Sequence, residues 1–142
     1  MMDYELGLDS GRLSNLFNSL HEQQKAYVDT IHTERLILRK EPTPDFVSTV
    51  YAILLKESQE KIGEVTLIYD GEIWYKINQP FRRKGYATEA VSKLIEISKQ
   101  SYFYLSIDFM NKASKKVAKK LGFIYKKRNR KSLVFEKTKS NM

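Results

Sequence analysis

The sequence predicts an α/β fold of the α+β kind, and three observations carry that prediction. A strand-like run from Glu72 to Ile77 passes through a glycine junction into a helix-like run reaching Lys99, and a second alternating strand follows it. Further strands precede this unit, the last joined to it by Asp70-Gly71, the strongest hairpin signal in the chain. After it come one more helical stretch and a closing hairpin. Strand, helix, strand across 72–108 makes a right-handed crossover, so its two strands should lie parallel or nearly so.

Taken in order, residues 11–31 place Leu13, Leu16, Phe17, Leu20, Tyr27, Val28 and Ile31 at helical spacing, and Asp9 or Ser10 can cap the start. An amphipathic helix is expected there. Thr33 to Arg39 reads as the first strand, broken by Glu41-Pro42-Thr43-Pro44, because proline cannot continue a ladder. Val50–Lys56 and Lys61–Tyr69 are the next strands, separated by the polar turn Glu57–Glu60. The helix from Ala87 to Lys99 turns Ala90, Val91, Leu94 and Ile95 inward. Phe103, Leu105 and Ile107 then alternate with Tyr102, Tyr104 and Ser106 along a strand. Asn111 opens a second helix that Gly122 ends in the manner of a C′ glycine. Phe123–Arg128 and Ser132–Thr138 close the chain as a hairpin.

Composition sets the bounds. With 142 residues, 42% hydrophobic and 30% charged, the chain suits one globular domain spanning 1–142: an N-terminal helical arm over 1–31 and a core over 33–138. No apolar run approaches the ~20 residues a bilayer span needs, and the acidic N-terminus lacks the features of a signal peptide, so a cytoplasmic location with no membrane partner is expected. The absence of cysteine excludes disulfides, a Cys nucleophile and thiolate zinc sites, and the only histidines are His21 and His32. No metal ligands are expected. The net charge of +8 comes from the C-terminal end, since residues 112–142 hold 12 Lys and Arg against Glu136 alone. Such an end suits an anionic partner.

The junction itself reads Gln79-Pro80-Phe81-Arg82-Arg83-Lys84-Gly85-Tyr86-Ala87-Thr88-Glu89-Ala90. Glycine and alanine at a strand-to-helix turn allow a ligand close to the backbone, and the first turn of a helix offers unpaired amides and partial positive charge. With three cations just before the glycine, the loop suits phosphate.

Three patches together resemble the GNAT superfamily of acyl-CoA-dependent N-acetyltransferases, in its ribosomal-protein-acetyltransferase-like branch. They are Thr33-Glu34-Arg35-Leu36-Ile37-Leu38-Arg39, the strand 72–77 running into Arg82-x-x-Gly85-x-Ala87, and Asn111-Lys112-Ala113-Ser114 followed by Lys120-Leu121-Gly122-Phe123. The resemblance spans roughly residues 33 to 138. It implies a mixed, mostly antiparallel sheet of six to seven strands, splayed between a central parallel pair and flanked by helices. It implies acetyl-CoA as cosubstrate, held by Ile77, Arg82, Arg83, Lys84, Gly85, Tyr86, Ala87 and Asn111, and a primary amine as acceptor, attacking directly in a ternary complex. The amine must lose a proton, for which Glu72 stands where the branch carries a carboxylate, with Glu64 on the neighbouring strand. For the leaving thiolate, many relatives use a tyrosine four residues before the Gly-Phe pair, where this chain has Ala118. Ser114 is the local hydroxyl, while Tyr102 and Tyr104 are looser candidates. Arg83 also departs from the pattern by replacing the usual glycine, and Pro80 stands one position late. Only residues 41–48 lie where relatives carry helices walling the acceptor site, so the arm over 11–31 is expected to supply that wall or the site to lie open.

The acceptor stays open between a small molecule and a protein N-terminus, and a homodimer is among the open oligomeric states. Two rival readings stand beside the enzyme. One is a non-catalytic acyl-CoA-binding protein. The other is a polyanion- or RNA-binding module built on the basic end, with Phe123, Tyr125 and Phe135 interleaved among its cations.

Overall fold

A computed structural model describes residues 29–139. The chain runs through β1 (Thr30–His32), β2 (Leu36–Glu41), β3 (Ser48–Leu55), β4 (Lys61–Ile68) and β5 (Ile73–Ile77). A 3-10 turn at Gln79–Phe81 then leads into α1 (Tyr86–Ile97) and β6 (Tyr102–Asp108), followed by α2 (Lys112–Lys120), β7 (Ile124–Asn129) and β8 (Ser132–Thr138). Strands β1 to β5 form one antiparallel sheet in sequence order, and β6, β8 and β7 form a second in that order.

The two sheets meet where β5 and β6 begin. Glu72 and Tyr104 form a single parallel bridge, and the Tyr104 amide donates to the Gly71 carbonyl at 3.0 Å. Beyond that bridge β6 pairs only with β8, and β5 only with β4. The parallel pair expected from the crossover is therefore present and splayed.

Helix α1 covers the first sheet because its apolar residues recur at helical spacing. Ala90, Val91 and Leu94 are fully buried and Ile95 nearly so, against Leu36, Leu38, Ile53, Val65 and Leu67 from the sheet. Full burial of each branched side chain is worth about 1.5–3 kcal/mol. Phe103, Leu105 and Ile107 of β6 join the same core, with Ala118 of α2 and Phe123. Ile37, Ala52 and Leu54 form a separate, smaller cluster.

Among the described residues the expected elements recur with shifted ends, and two differences are substantive. Thr30 and Ile31 are strand, not the end of a helix, because residues 30–32 pair with Arg39, Leu38 and Ile37. Tertiary pairing outweighs helical periodicity there, and β1 brings the strand count among the described residues to eight. Thr33 to Arg35 form the turn between β1 and β2, so the second strand opens at Leu36. The remainder of the expected arm, with its proposed role as an acceptor wall, lies outside the described residues. No helix among the described residues is long and apolar enough to cross a membrane.

Candidate active site

Where β5 and β6 part, a cleft of about 400 Å³ opens between Glu72–Tyr75 on one side and Leu105–Asp108 on the other, with Asn111 and Ser114 of α2 closing its end. Glu72 and Ser114, the two expected catalytic residues, thus line one cavity together with Asn111. Glu64 does not line it; its carboxylate pairs with Lys61 at 3.0 Å, in the register position opposite Lys76. Glu72 is half-buried, and the Tyr104 hydroxyl reaches its Oε1 at 3.4 Å while donating more closely to Asp70 Oδ2 at 2.8 Å. Burial and those two carboxylates hold the Tyr104 phenol well above its ordinary range, so it stays a donor. Tyr102 is engaged elsewhere, with its hydroxyl on Glu136 at 3.0 Å.

The Asn111 side chain caps α2 by accepting from the Ser114 amide at 3.0 Å, which leaves its own NH2 as a donor. The Ser114 hydroxyl has a partner that local periodicity does not reveal. Tyr75 Oη donates to Ser114 Oγ at 2.8 Å across 39 residues of chain. Burial raises the Tyr75 phenol above its usual range, with the Ser114 bond opposing that rise. The one signal available in the sequence was a hydroxyl between Ile73 and Ile77, in the inward register of a strand.

At the far end of β5 the chain turns into α1. Arg82 Nε donates to the Ile77 carbonyl at 2.7 Å, so Arg82 closes the turn as well as lending it charge. Arg83, Lys84 and Gly85 are exposed, while Tyr86 and Ala87 are half-buried in the first turn of the helix. Gly85 is the N-cap at φ +83°, and its carbonyl accepts the first helical bond, from the Glu89 amide at 3.0 Å. The preceding amides of that turn lack an intrahelical partner by construction.

Sequence reasoning also missed how this turn is held. Glu89 accepts from the Thr33 hydroxyl, from the Arg35 amide at 2.8 Å and from Arg35 Nε at 2.7 Å. The Arg35 guanidinium stacks 4.4 Å from the centroid of Tyr86, and a Cβ at Gly85 would lie 3.3 Å from it. Thr33 and Arg35 were visible only as strand residues, although the turn they form reaches across the sheet to the helix N-terminus.

A family model described as an acetyltransferase (GNAT) domain matches residues 16–124. No curated protein matches the sequence. Solved structures share the fold. An acetyltransferase from Agrobacterium tumefaciens str. C58 is 18% identical, with a TM-score of 0.65 over 78% of this chain and 94% of its own. The ribosomal-protein-S5-alanine acetyltransferase from Vibrio fischeri is 13% identical, with a TM-score of 0.63 over 79% of this chain and 97% of its own. RimL, a ribosomal L7/L12 alpha-N-protein acetyltransferase solved with coenzyme A, is 14% identical, with a TM-score of 0.59 over 66% of this chain and 63% of its own.

Proposed function

The chain belongs to the GNAT acetyltransferase family, and from that premise we propose that it moves an acetyl group from acetyl-CoA to a primary amine, by direct attack in a ternary complex. The observation that carries this reading is the divergence of β5 and β6, which sets a carboxylate and a hydroxyl across one cleft. Beyond the far end of β5 lies a cationic, amide-bearing turn. The five residues of β5, of which the first three line the cleft, run roughly 16 Å at the usual strand rise and lead from it to the turn. An elongated, anionic cosubstrate fits such a layout.

Arg83, Lys84 and the amides of Gly85, Tyr86 and Ala87 would hold the phosphates, where helix dipole and cations act together. The edge of β5 that leaves β6 would pair with the amides of the pantetheine arm, beside Ile77. Backbone N–H groups on that edge would stabilise charge developing on the thioester oxygen. Glu72 would take the amine proton, directly or through water. Its ordinary partner among the described residues is a hydroxyl, so no cation competes for it. Asn111 would donate its NH2 toward the arm, and Ser114 its O–H toward the leaving sulfur. The likeness to ribosomal-protein acetyltransferases supports a protein N-terminus as one acceptor class to test, next to small amines.

The test is the thermal midpoint with and without acetyl-CoA, in wild type and in Arg83→Glu/Lys84→Glu. Both positions are exposed, so the variant should fold. Ligand at about 100 times its dissociation constant adds ~2.7 kcal/mol, several degrees for a domain of this size. The wild type is expected to show that shift and the variant to lose most of it. A wild type that does not shift would remove acetyl-CoA from the reading. Binding followed by failure with every primary amine offered would favour the non-catalytic alternative.

A further inference from the structure

Tyr75 is the hydroxyl that the proposed chemistry has not used. It sits on β5 between two buried isoleucines, lines the cleft, and lies 2.8 Å from Ser114 Oγ. Of the two hydroxyls the phenol is by far the more acidic, with an ordinary pKa near ~10, so it is the donor and the serine oxygen the acceptor. Ser114 carries one proton of its own. A serine on a helix commonly turns that proton back onto a carbonyl of the preceding turn. With its oxygen engaged by Tyr75 and its amide held by Asn111 Oδ1, Ser114 is fixed from both sides. No described residue accepts its O–H.

We propose that Tyr75 is a positioning residue for the leaving group: it fixes the Ser114 hydroxyl so that the serine proton faces the cleft and hydrogen-bonds the sulfur as the thioester C–S bond breaks. The inference rests on the reading that the thioester sulfur lies in this cleft. The pair offers a hydrogen bond rather than a proton. Burial lifts the Tyr75 phenol above its ordinary range and a serine hydroxyl is less acidic still, so neither would surrender its proton to a thiolate, which is the weaker base. The electron pair of the broken bond stays on sulfur, and the amine proton leaves through Glu72. Tyr75 thus serves the departing group in a chain whose Ala118 lacks the hydroxyl many relatives supply. Its phenol approaches from the opposite wall of the cleft, on a strand instead of the helix.

Coenzyme A itself is the probe, because its free thiol reports the site without any acceptor. Wild type, Tyr75→Phe, Ser114→Ala and the double variant are saturated with coenzyme A, with saturation checked by calorimetry at low pH. The bound thiol is then titrated by the ultraviolet absorbance of its thiolate. Tyr75→Phe keeps the ring, so packing is preserved, and thermal midpoints of all four proteins verify that they are folded. Loss of one hydrogen bond to a charged group is expected to raise the apparent pKa of the bound thiol by about one unit. Tyr75→Phe and Ser114→Ala should each do so, and the double variant should go no further than the larger single effect. A merely structural tie between β5 and α2 would move the midpoints and leave the thiol titration unchanged. A wild-type titration in Tyr75→Phe beside a shifted one in Ser114→Ala overturns the inference and leaves the serine its role. An unshifted Ser114→Ala overturns both. Failure of wild type to bind coenzyme A would overturn the cosubstrate reading on which the inference stands.

Discussion

Arg83 holds φ at +65°, a conformation that glycine adopts freely and other L-residues reach at a cost of about 1–2 kcal/mol. The position is the one where the family pattern has glycine, so the departure in sequence and the strain in backbone are the same fact. The arginine adds a cation at the exposed turn that leads into α1. Arg83→Gly should therefore separate the two effects. Relief of the left-handed strain, less the ~0.4–1 kcal/mol by which glycine loosens the unfolded chain, should leave the thermal midpoint equal or up to a few degrees higher. Acetyl-CoA affinity should fall several-fold, and the loss should shrink as added salt screens the charge. A lower midpoint, or unchanged affinity at low salt, would count against this account. The arginine was legible as an anomaly, but its φ was not, because the path of the turn depends on Arg82 reaching back to the Ile77 carbonyl. Tyr75 was less legible still. Its inward position follows from alternation along β5, but the serine it holds is 39 residues away on another element.

At the scale of elements, local chemistry was a good guide wherever one residue type decides the geometry. Asp70-Gly71 turns β4 into β5, Asn111 caps α2, and the stripe Ala90, Val91, Leu94, Ile95 is the buried face of α1. It failed at Thr30 to Arg35. That stretch continues a helical pattern on one side and a strand pattern on the other, and only pairing with residues 37–39 makes it a strand and a turn. Gly71 shows how an element boundary also sets the cleft. It lies at φ +105°, its carbonyl accepts the Tyr104 amide, and a Cβ there would stand 2.5 Å from the Tyr102 carbonyl oxygen. The two sheets touch at that point and diverge beyond it. Gly71→Ala must both strain the backbone and push a carbonyl of β6 away, so a loss of about 1–3 kcal/mol is expected, seen as a lower midpoint in denaturant or heat. The cleft should widen at its base, so acetyl-CoA should stabilise the variant less than it does wild type. A variant as stable as wild type would mean that the joint yields without cost.

Across the whole molecule, the turn that opens the first sheet and the helix that carries the cationic loop are tied through Glu89. An exposed ion pair alone would contribute little, but here one carboxylate accepts from a hydroxyl, a backbone amide and a guanidinium. Its side chain keeps only 18% of its surface, against 41% for Arg35. Burial opposes the charge on Glu89, yet Thr33 and Arg35 together outweigh it and hold the carboxyl below the usual range. The sign of the pH effect follows. Because the folded value lies below the unfolded one, near ~4.3, the tie contributes fully above that unfolded value and is lost as pH falls through the folded one. Glu89→Gln should then cost about 1–2 kcal/mol at neutral pH, a drop of several degrees in midpoint. The gap between wild type and variant should close in acid, once Glu89 is protonated in both states. Since Glu89 stands one turn inside α1, its loss should also let the N-terminus of that helix shift, weakening acetyl-CoA binding at neutral pH while sparing the distant cleft. Paired thermal scans of the two proteins from neutral pH down to about pH 3, each with and without acetyl-CoA, measure both effects. A gap that stayed constant into acid would assign Glu89 a role in packing and not in charge.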